Sequence, residues 1–413
     1  MAKLKRYVIC SAENVRSTSE DKHMAQYFGS SLTALESPAE NVPPAWVDDS
    51  LAVIVGQIVE YQVPPHAIDG LDRLYGSLYA CWRFLRLCDP VLPHTWIAYQ
   101  RGEIVGVLLF RVNAGRVRVL TEMFILDEAI ATAFARDVFS RYCDTVEIDF
   151  NAIGLTSPFT RMACQHFAFS ENYVLTLPAS VESYQRSLGK STRKTLRGYS
   201  NRLLRDHPGF EWQCSLSDTL PRHVQRALVQ QLQEFKRASM TARGKQAQID
   251  AHETTQLLQM AADCGMFGLG TVNGKLCAGS LALKIGDSYV MMLCAADPAF
   301  SAHRLGLLAC YWSLCDCIMQ GARQCHLLWG RYRYKEQLLA VPISLHRLRM
   351  YRSRWHMLFR PMGIACMTVQ GLSQRCRAWL RSDMPNRQSR IVRDFFSFLK
   401  RPGSTPEATP LQK

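Results

Sequence analysis

Apolar positions change period along this 413-residue chain, and the changes mark out its elements. Between Ile68 and Leu87 they recur three and four apart, at Leu71, Leu74, Tyr75, Leu78, Tyr79, Trp82 and Leu85. That spacing predicts one amphipathic helix with its aromatics in a core. A β run follows. HTWIAYQ leads to an Arg101-Gly102 turn, EIVGVLLFRV to an Ala114-Gly115 turn, and RVRVLTEMF completes a three-stranded meander. The period returns to helical in DEAIATAFARDVFSRY, and TVEIDF closes the unit as a strand ending at Phe150. The order is β, β, β, α, β.

The same order recurs further along the chain. GMFGLGTV turns at Asn273-Gly274, KLCAGSLALK turns at Gly286-Asp287, and SYVMMLCAA is the third strand. A helix from about Leu307 to Gln320 is closed by Gly321, and CHLLWG is the last strand. Two copies of one supersecondary unit imply tandem domains. The copies differ between third strand and helix, where the first has ILDEAI and the second DPAFSAHRLGLL. A glycine-containing turn entering a helix presents free N–H groups and a positive dipole end to an anion. With Arg304 adding charge, the second copy could cradle a pyrophosphate, whereas the two acids of the first would repel one. Gly306 as a plain tight turn is the competing reading.

Composition narrows the class. With 48% hydrophobic and 20% charged residues the chain is ordinary globular material. Of the net charge of +14, +13 lies from Arg331 to Lys413, where 17 Lys or Arg face four acids. The fifteen cysteines are odd in number and scattered through apolar runs, so they read as small core residues rather than a secreted disulfide framework. Cys315-Asp-Cys317 lacks the spacing and second pair of a zinc site, and no metal site is expected. MAKLKRYVIC is too short in apolar length for a signal peptide, and no window reaches eighteen uncharged apolar residues. The expectation is a cytoplasmic protein.

Two basic stretches then need a purpose. KSTRKTLRGYSNRLLR, residues 190–205, carries six positive side chains and no acid. Lys190, Arg193, Lys194, Arg197 and Arg205 fall at helical spacing, Leu196, Tyr199 and Leu203 form a narrow apolar stripe, and Ser191 is the expected N-cap. A solvated face and a phosphate or acidic-substrate contact both fit. In the tail, RLRMYRSRWHMLFR and SRIVRDFFSFLKR interleave Trp355, Phe359, Phe395, Phe396, Phe398 and Leu399 with Arg and Lys, as an interfacial helix does. A helix packed back on its domain is the other reading.

Meander, anion-binding turn, helix and closing strand resemble the acyl-CoA-binding core of the GNAT acyltransferase superfamily. Three stretches are similar to one branch, the acetyltransferases found near cellulose and exopolysaccharide synthesis genes, kin to the tandem Fem-type peptidyltransferases. SLGKSTRKTLRGYSNRLLRD resembles the branch's basic helix leading into the second domain. AADPAFSAHRLGLLACYW resembles its strand, Asp-Pro turn, cofactor loop and helix, and WGRYRYKEQL its closing-strand signature. The resemblance covers roughly residues 92–340. This chain departs from it with His326 where an acid is usual, Arg331, Tyr332 and Arg333 where acids are frequent, and Leu305-Gly306 in place of Pro-Gly.

The resemblance implies an α+β fold of tandem GNAT-like domains, each a mostly antiparallel central sheet flanked by helices. The expected bounds are a polar region over 1–66, a first, degenerate domain over 67–185, the acyl-CoA domain over 186–344 and a basic helical tail over 345–413. It implies acyl transfer from acetyl-CoA or another acyl-CoA to an amine of a sugar, a polysaccharide precursor or another small acceptor. The amine attacks the thioester directly, so an oxyanion donor and an acid for the thiolate are needed. No Cys or Ser has a recognisable His partner for a covalent route. The cofactor loop falls on His303, Arg304, Leu305, Gly306 and Leu307, and the signature on Tyr334 and Lys335 as catalytic residues, with Lys335 equally able to serve as a counter-ion to a phosphate or carboxylate. Asp297 is a further acid–base candidate that is equally a turn former before Pro298; Glu234, His326 and Tyr332 also carry suitable groups. Arg193, Arg197 and Tyr332 are the substrate-binding expectation, with the basic helix facing the crevice between the copies. Expected partners are a small or glycan acceptor and, through the tail, the inner face of an anionic membrane; nucleic acid is not expected. Two rival readings are a Fem-like transferase using aminoacyl-tRNA and a non-catalytic module holding acidic polymer or membrane.

Overall fold

The computed structural model describes residues 53–157, 159–242, 244, 251–359, 365 and 367–373. Strand β1 (Val55–Val59) and helices α1 (Pro65–Tyr75) and α2 (Trp82–Cys88) precede β2 (His94–Gln100), β3 (Glu103–Asn113), β4 (Arg116–Val119) and β5 (Ile125–Leu126). Next come α3 (Glu128–Arg141), β6 (Glu147–Leu155), β7 (Cys164–Thr176), α4 (Val181–Ser187), α5 (Lys190–Asp206) and β8 (Phe210–Leu216). Helices α6 (Arg222–Thr241) and α7 (Ala251–Cys264) lead into β9 (Gly265–Val272), β10 (Lys275–Ile285) and β11 (Ser288–Ala296). A 3₁₀ turn over Pro298–His303 enters α8 (Leu305–Met319), and the described chain continues through β12 (Gln324–His326), α9 (Arg333–Gln337), β13 (Val341–Tyr351) and α10 (Arg354–Leu358).

The order of both repeats is kept, but the third strand of the first covers only Arg116–Val119 of RVRVLTEMF, and the last strand of the second is Gln324–His326. Arg101-Gly102, Ala114-Gly115 and Asn273-Gly274 all take positive φ, as two-residue hairpins of this kind require. In each copy the third strand pairs parallel with the closing strand across its helix, β4 with β6 around α3 and β11 with β12 around α8. The remaining pairs described in register, β1–β2, β3–β4, β8–β9, β9–β10, β10–β11, β7–β12 and β6–β13, are antiparallel. The fold is therefore α+β, a mostly antiparallel sheet flanked by helices.

Two compact units divide the chain, one gathering the residues up to Leu109 and Tyr173–Pro342, the other Phe110–Asn172 and the chain from Ile343. They interleave in sequence, unlike the end-to-end bounds expected at 185/186. In the first unit β1 pairs with β2, and six further strands run β7-β12-β11-β10-β9-β8. On one face, Leu196 and Leu203 of α5 and Leu308, Tyr311 and Trp312 of α8 join Met266, Tyr289 and Met291 in one core. On the other, Val229, Leu232 and Phe235 of α6 and Met260 of α7 pack on Leu281, Val290 and Leu293. Leu78 and Cys81 belong to that second core, which is why the early helices sit with the second copy's sheet.

Three local expectations are corrected. The helix expected over 68–87 breaks at Gly76, which takes αL geometry, and a Cβ there would meet Ser288 Oγ at 2.3 Å. Helix α5 begins after Gly189 with no side-chain cap, so Ser191 is not its N-cap. The tail is not helical from 345. Leu345, Leu348, Met350 and Tyr351 are buried along β13, which pairs with β6 in the second unit. There Arg349 reaches both Asp149 and Glu147, and Arg352 donates to the carbonyls of Phe139, Tyr142 and Thr145. A cut after Ser344 would remove this strand. Phe395, Phe396, Phe398 and Leu399 lie outside the described residues.

Candidate active site

Strand β11 sits between β10 and β12, and its two ladders end at different places. Against β10 the register shifts between Leu281 and Ala282, which leaves Met292 as the extra residue of a β-bulge. Against β12 pairing stops at Val290 and His326. Beyond that point the chain after β12 stays with β7, where Leu327 N–H donates to the Tyr173 carbonyl (2.7 Å) and Tyr173 N–H to that of Leu328 (3.1 Å). Strand β11 stays with β10 as far as Asp297, whose N–H reaches the Cys277 carbonyl at 2.8 Å. The strands therefore splay, and residues 291–296 face the opening with a β-strand edge.

Helix α8 starts beside this edge. Cys294 of β11 donates from Sγ to the Gly306 carbonyl (3.7 Å), which ties the helix's first turn to the outer half of the strand. Arg304 caps the helix in αL conformation, and its carbonyl accepts from Leu307 and Leu308. The N–H groups of Leu305 and Gly306 open the helix, where no intrahelical acceptor exists. A Cβ placed on Gly306 would meet nothing within 4 Å, and the first turn carries no acid. The space and polarity fit a phosphate-bearing ligand. The first copy is built the opposite way. Asp127 caps α3 by accepting from Ala129 N–H at 2.7 Å, and Glu128 accepts from the N–H groups of Thr160 and Arg161. The Asp127 carboxylate thus takes one of the helix-start N–H groups that an anion would use.

The residues expected in the cofactor loop divide. Leu305 is core, Leu307 is half-buried, and Arg304 lies over the Tyr199 ring at 5.8 Å. The His303 side chain is engaged elsewhere: it is buried, and Nε2 meets Asp206 Oδ2 at 3.0 Å. That contact and the flanking arginines hold the Asp206 carboxyl down at about 2. His303 thus fastens α5 to the turn before α8, assisted by His207 against Phe300. Lys190, Arg193, Lys194 and Arg197 remain exposed on α5, with Arg193 reaching the Arg186 carbonyl at 3.3 Å.

Tyr334, on α9, joins the opening. Burial raises its phenol well above the ordinary tyrosine value, with Cys310 of α8 and Cys294 of β11 as electrostatic neighbours, so it keeps its proton. Its hydroxyl has no hydrogen-bond partner among the described residues. Tyr332 stacks on it with ring centroids 6.0 Å apart. Lys335 is 2% exposed; its Nζ donates to the carbonyls of Leu328 (3.0 Å) and Trp329 (2.9 Å) and lies 5.0 Å over Tyr173. These bonds fix the turn that carries Trp329 and Tyr332, a positioning role. Asp297 caps the 3₁₀ turn by accepting from Ala299 N–H at 2.9 Å. Glu234 is exposed on α6, and burial lowers His326 to about 4, which leaves it neutral. Cys294 stays a thiol because Cys310 and burial raise it. Sequence reasoning missed Tyr173, although the alternation in ENYVLTL could have marked its strand.

Residues 190–336 match the family model described as Acetyltransferase (GNAT) domain. The solved structure of FemX superposes with a TM-score of 0.50 at 9% identity, over 71% of this chain and 96% of that one. A conserved protein of unknown function from Bacteroides thetaiotaomicron VPI-5482 gives 0.45 at 12%, covering 70% and 96%. A tandem GNAT protein from the clavulanic acid biosynthesis pathway gives 0.33 at 10%, covering 72% and 98%. No curated protein matches the sequence.

Proposed function

We propose that this protein, whose residues 190–336 match a GNAT acetyltransferase domain, transfers the acyl group of an acyl-CoA, acetyl-CoA foremost, to an amine. The observation that carries this reading is the meeting of three parts in one unit: the splayed edge of β11, the open helix start at Leu305-Gly306 and the protonated Tyr334. The pyrophosphate would lie on the α8 amides. The thioester would enter the split, its carbonyl accepting from β11 N–H groups as negative charge develops. The amine nitrogen forms the new C–N bond, and the C–S bond breaks as electrons return to the carbonyl. Tyr334 gives its proton to the departing thiolate, and the proton lost by the amine restores the phenol. A direct transfer is consistent with Cys294 being held as a thiol. Trp329 and Tyr332 expose half their surface on the turn fixed by Lys335. Flat aromatic faces there suit a ring-shaped acceptor such as an amino sugar.

Acetyl-CoA at a hundred times its dissociation constant should add about 2.7 kcal/mol of stability, read as a rise in thermal midpoint. Aminoacyl-tRNA would be the donor instead if acetyl-CoA gave no rise and a charged tRNA did.

We also propose that the segment after β13 touches an anionic membrane. Among the described residues no helix is long and apolar enough to cross one. Trp355 (69% exposed) and Phe359 (80%) nevertheless stand free beside Arg354, ahead of a strongly basic stretch of sequence. Changing both to Ser should weaken binding to phosphatidylglycerol vesicles even at low salt. Unchanged binding, or no vesicle binding by the wild type, removes this reading.

A further inference from the structure

Helices α6 and α7 enclose a solvent-facing groove of about 820 Å³, within the range of about 300–1,000 Å³ typical of ligand sites. It lies on the flank of α6 beside the face on which Val229, Leu232 and Phe235 pack on the sheet, with buried Gln225 and Gln233 in its lining. Arg222, Arg226 and Arg237 line it. All three are exposed, and none makes a hydrogen bond or ion pair with another described residue. Between them amide and hydroxyl groups share the lining with Glu234, Leu258 and two alanines: Gln230, Thr255 and Gln259 are exposed, and buried Gln233 donates to Thr254 Oγ1 at 2.9 Å.

We propose that this groove binds an acidic oligosaccharide, a chain of hydroxylated rings carrying carboxylates at intervals. Guanidinium forks match carboxylates in pairs of parallel hydrogen bonds. The glutamine and threonine side chains between them match ring hydroxyls, each able to donate and accept. At about 1.5 Å of rise per residue the three arginines span about 22 Å of α6, with about 6 Å between the first two and about 16 Å to the third. That spacing suits charges borne at intervals along an extended ligand. A nucleic-acid strand fits less well. Glu234 stands in the lining four residues after Gln230, where an evenly charged backbone would meet it. The lining also contains no aromatic residue on which bases could stack. The inference does not rest on the acyl-CoA reading, since no residue of β11 or α8 lines the groove.

The test is calorimetric titration of the full chain with a hyaluronan hexasaccharide, which carries a carboxylate on every second ring. The expected result is saturable binding that weakens with salt, and that falls about tenfold or more in Arg222→Gln/Arg226→Gln and in Arg237→Gln. Because the three side chains are exposed and unpaired, the variants should keep the wild-type thermal midpoint, so a loss of binding is not a loss of fold. The proposal is overturned if the wild type does not bind the hexamer, if the variants bind it equally well, or if a neutral glucose hexamer binds as tightly. A single-stranded hexanucleotide binding more tightly, with the same arginine dependence, would make the groove a nucleic-acid site and overturn it too.

Discussion

Tyr334→Phe is expected to lower kcat by about 100- to 1,000-fold while leaving acetyl-CoA binding nearly unchanged. The substitution removes one hydroxyl and keeps the ring, which stacks on Tyr332 and sits against the core around α8. The hydroxyl is the group assigned to the departing thiolate, and nothing described in the protein competes for it. Burial raises its pKa above the ordinary tyrosine value of about 10, so the acid form persists through neutral and mildly basic pH. The rate should show no basic limb from its loss in that range. Release of free CoA thiol with a hexosamine acceptor measures both effects. A loss below about threefold would take Tyr334 out of the chemistry.

Gly306→Asp is expected to abolish the stabilisation by acetyl-CoA, about 2.7 kcal/mol at a hundred times the dissociation constant. The residue itself should be tolerated, since its side chain would enter open space and an acid in a first helical turn complements the dipole. That same placement puts a carboxylate where the pyrophosphate would lie. The first copy carries such a carboxylate already, for Asp127 accepts from the Ala129 N–H at the start of α3. An undiminished shift in the variant would place the ligand elsewhere.

Much of this architecture was legible in the sequence because it is written in local chemistry. Hairpin turns such as Asn273-Gly274 need positive φ, alternation marked both meanders, and the contrast between ILDEAI and DPAFSAHRLGLL was a contrast of charge at a helix start. What stayed hidden depends on partners distant in sequence. Arg347, Leu348, Arg349 and Met350 alternate as a strand, yet their arginines invite an amphipathic-helix reading until Asp149 and Glu147 are seen opposite them. His303 reads as a loop cation, and only the fold brings Asp206 to it from 97 residues away. Lys335 reads as a catalytic ammonium, and only the carbonyls of Leu328 and Trp329 show that it is engaged. The break at Gly76 follows from the close approach of Ser288, another contact that no helical period contains.

Amide hydrogen exchange with and without acetyl-CoA tests the central claim most directly. Slowed exchange is predicted at Leu305 and Gly306 and along residues 291–296 of β11, with the amides around Asp127 and Glu128 unaffected. Protection that appears at the start of α3 instead, or at neither helix, would contradict the assignment of the acyl donor to the second copy.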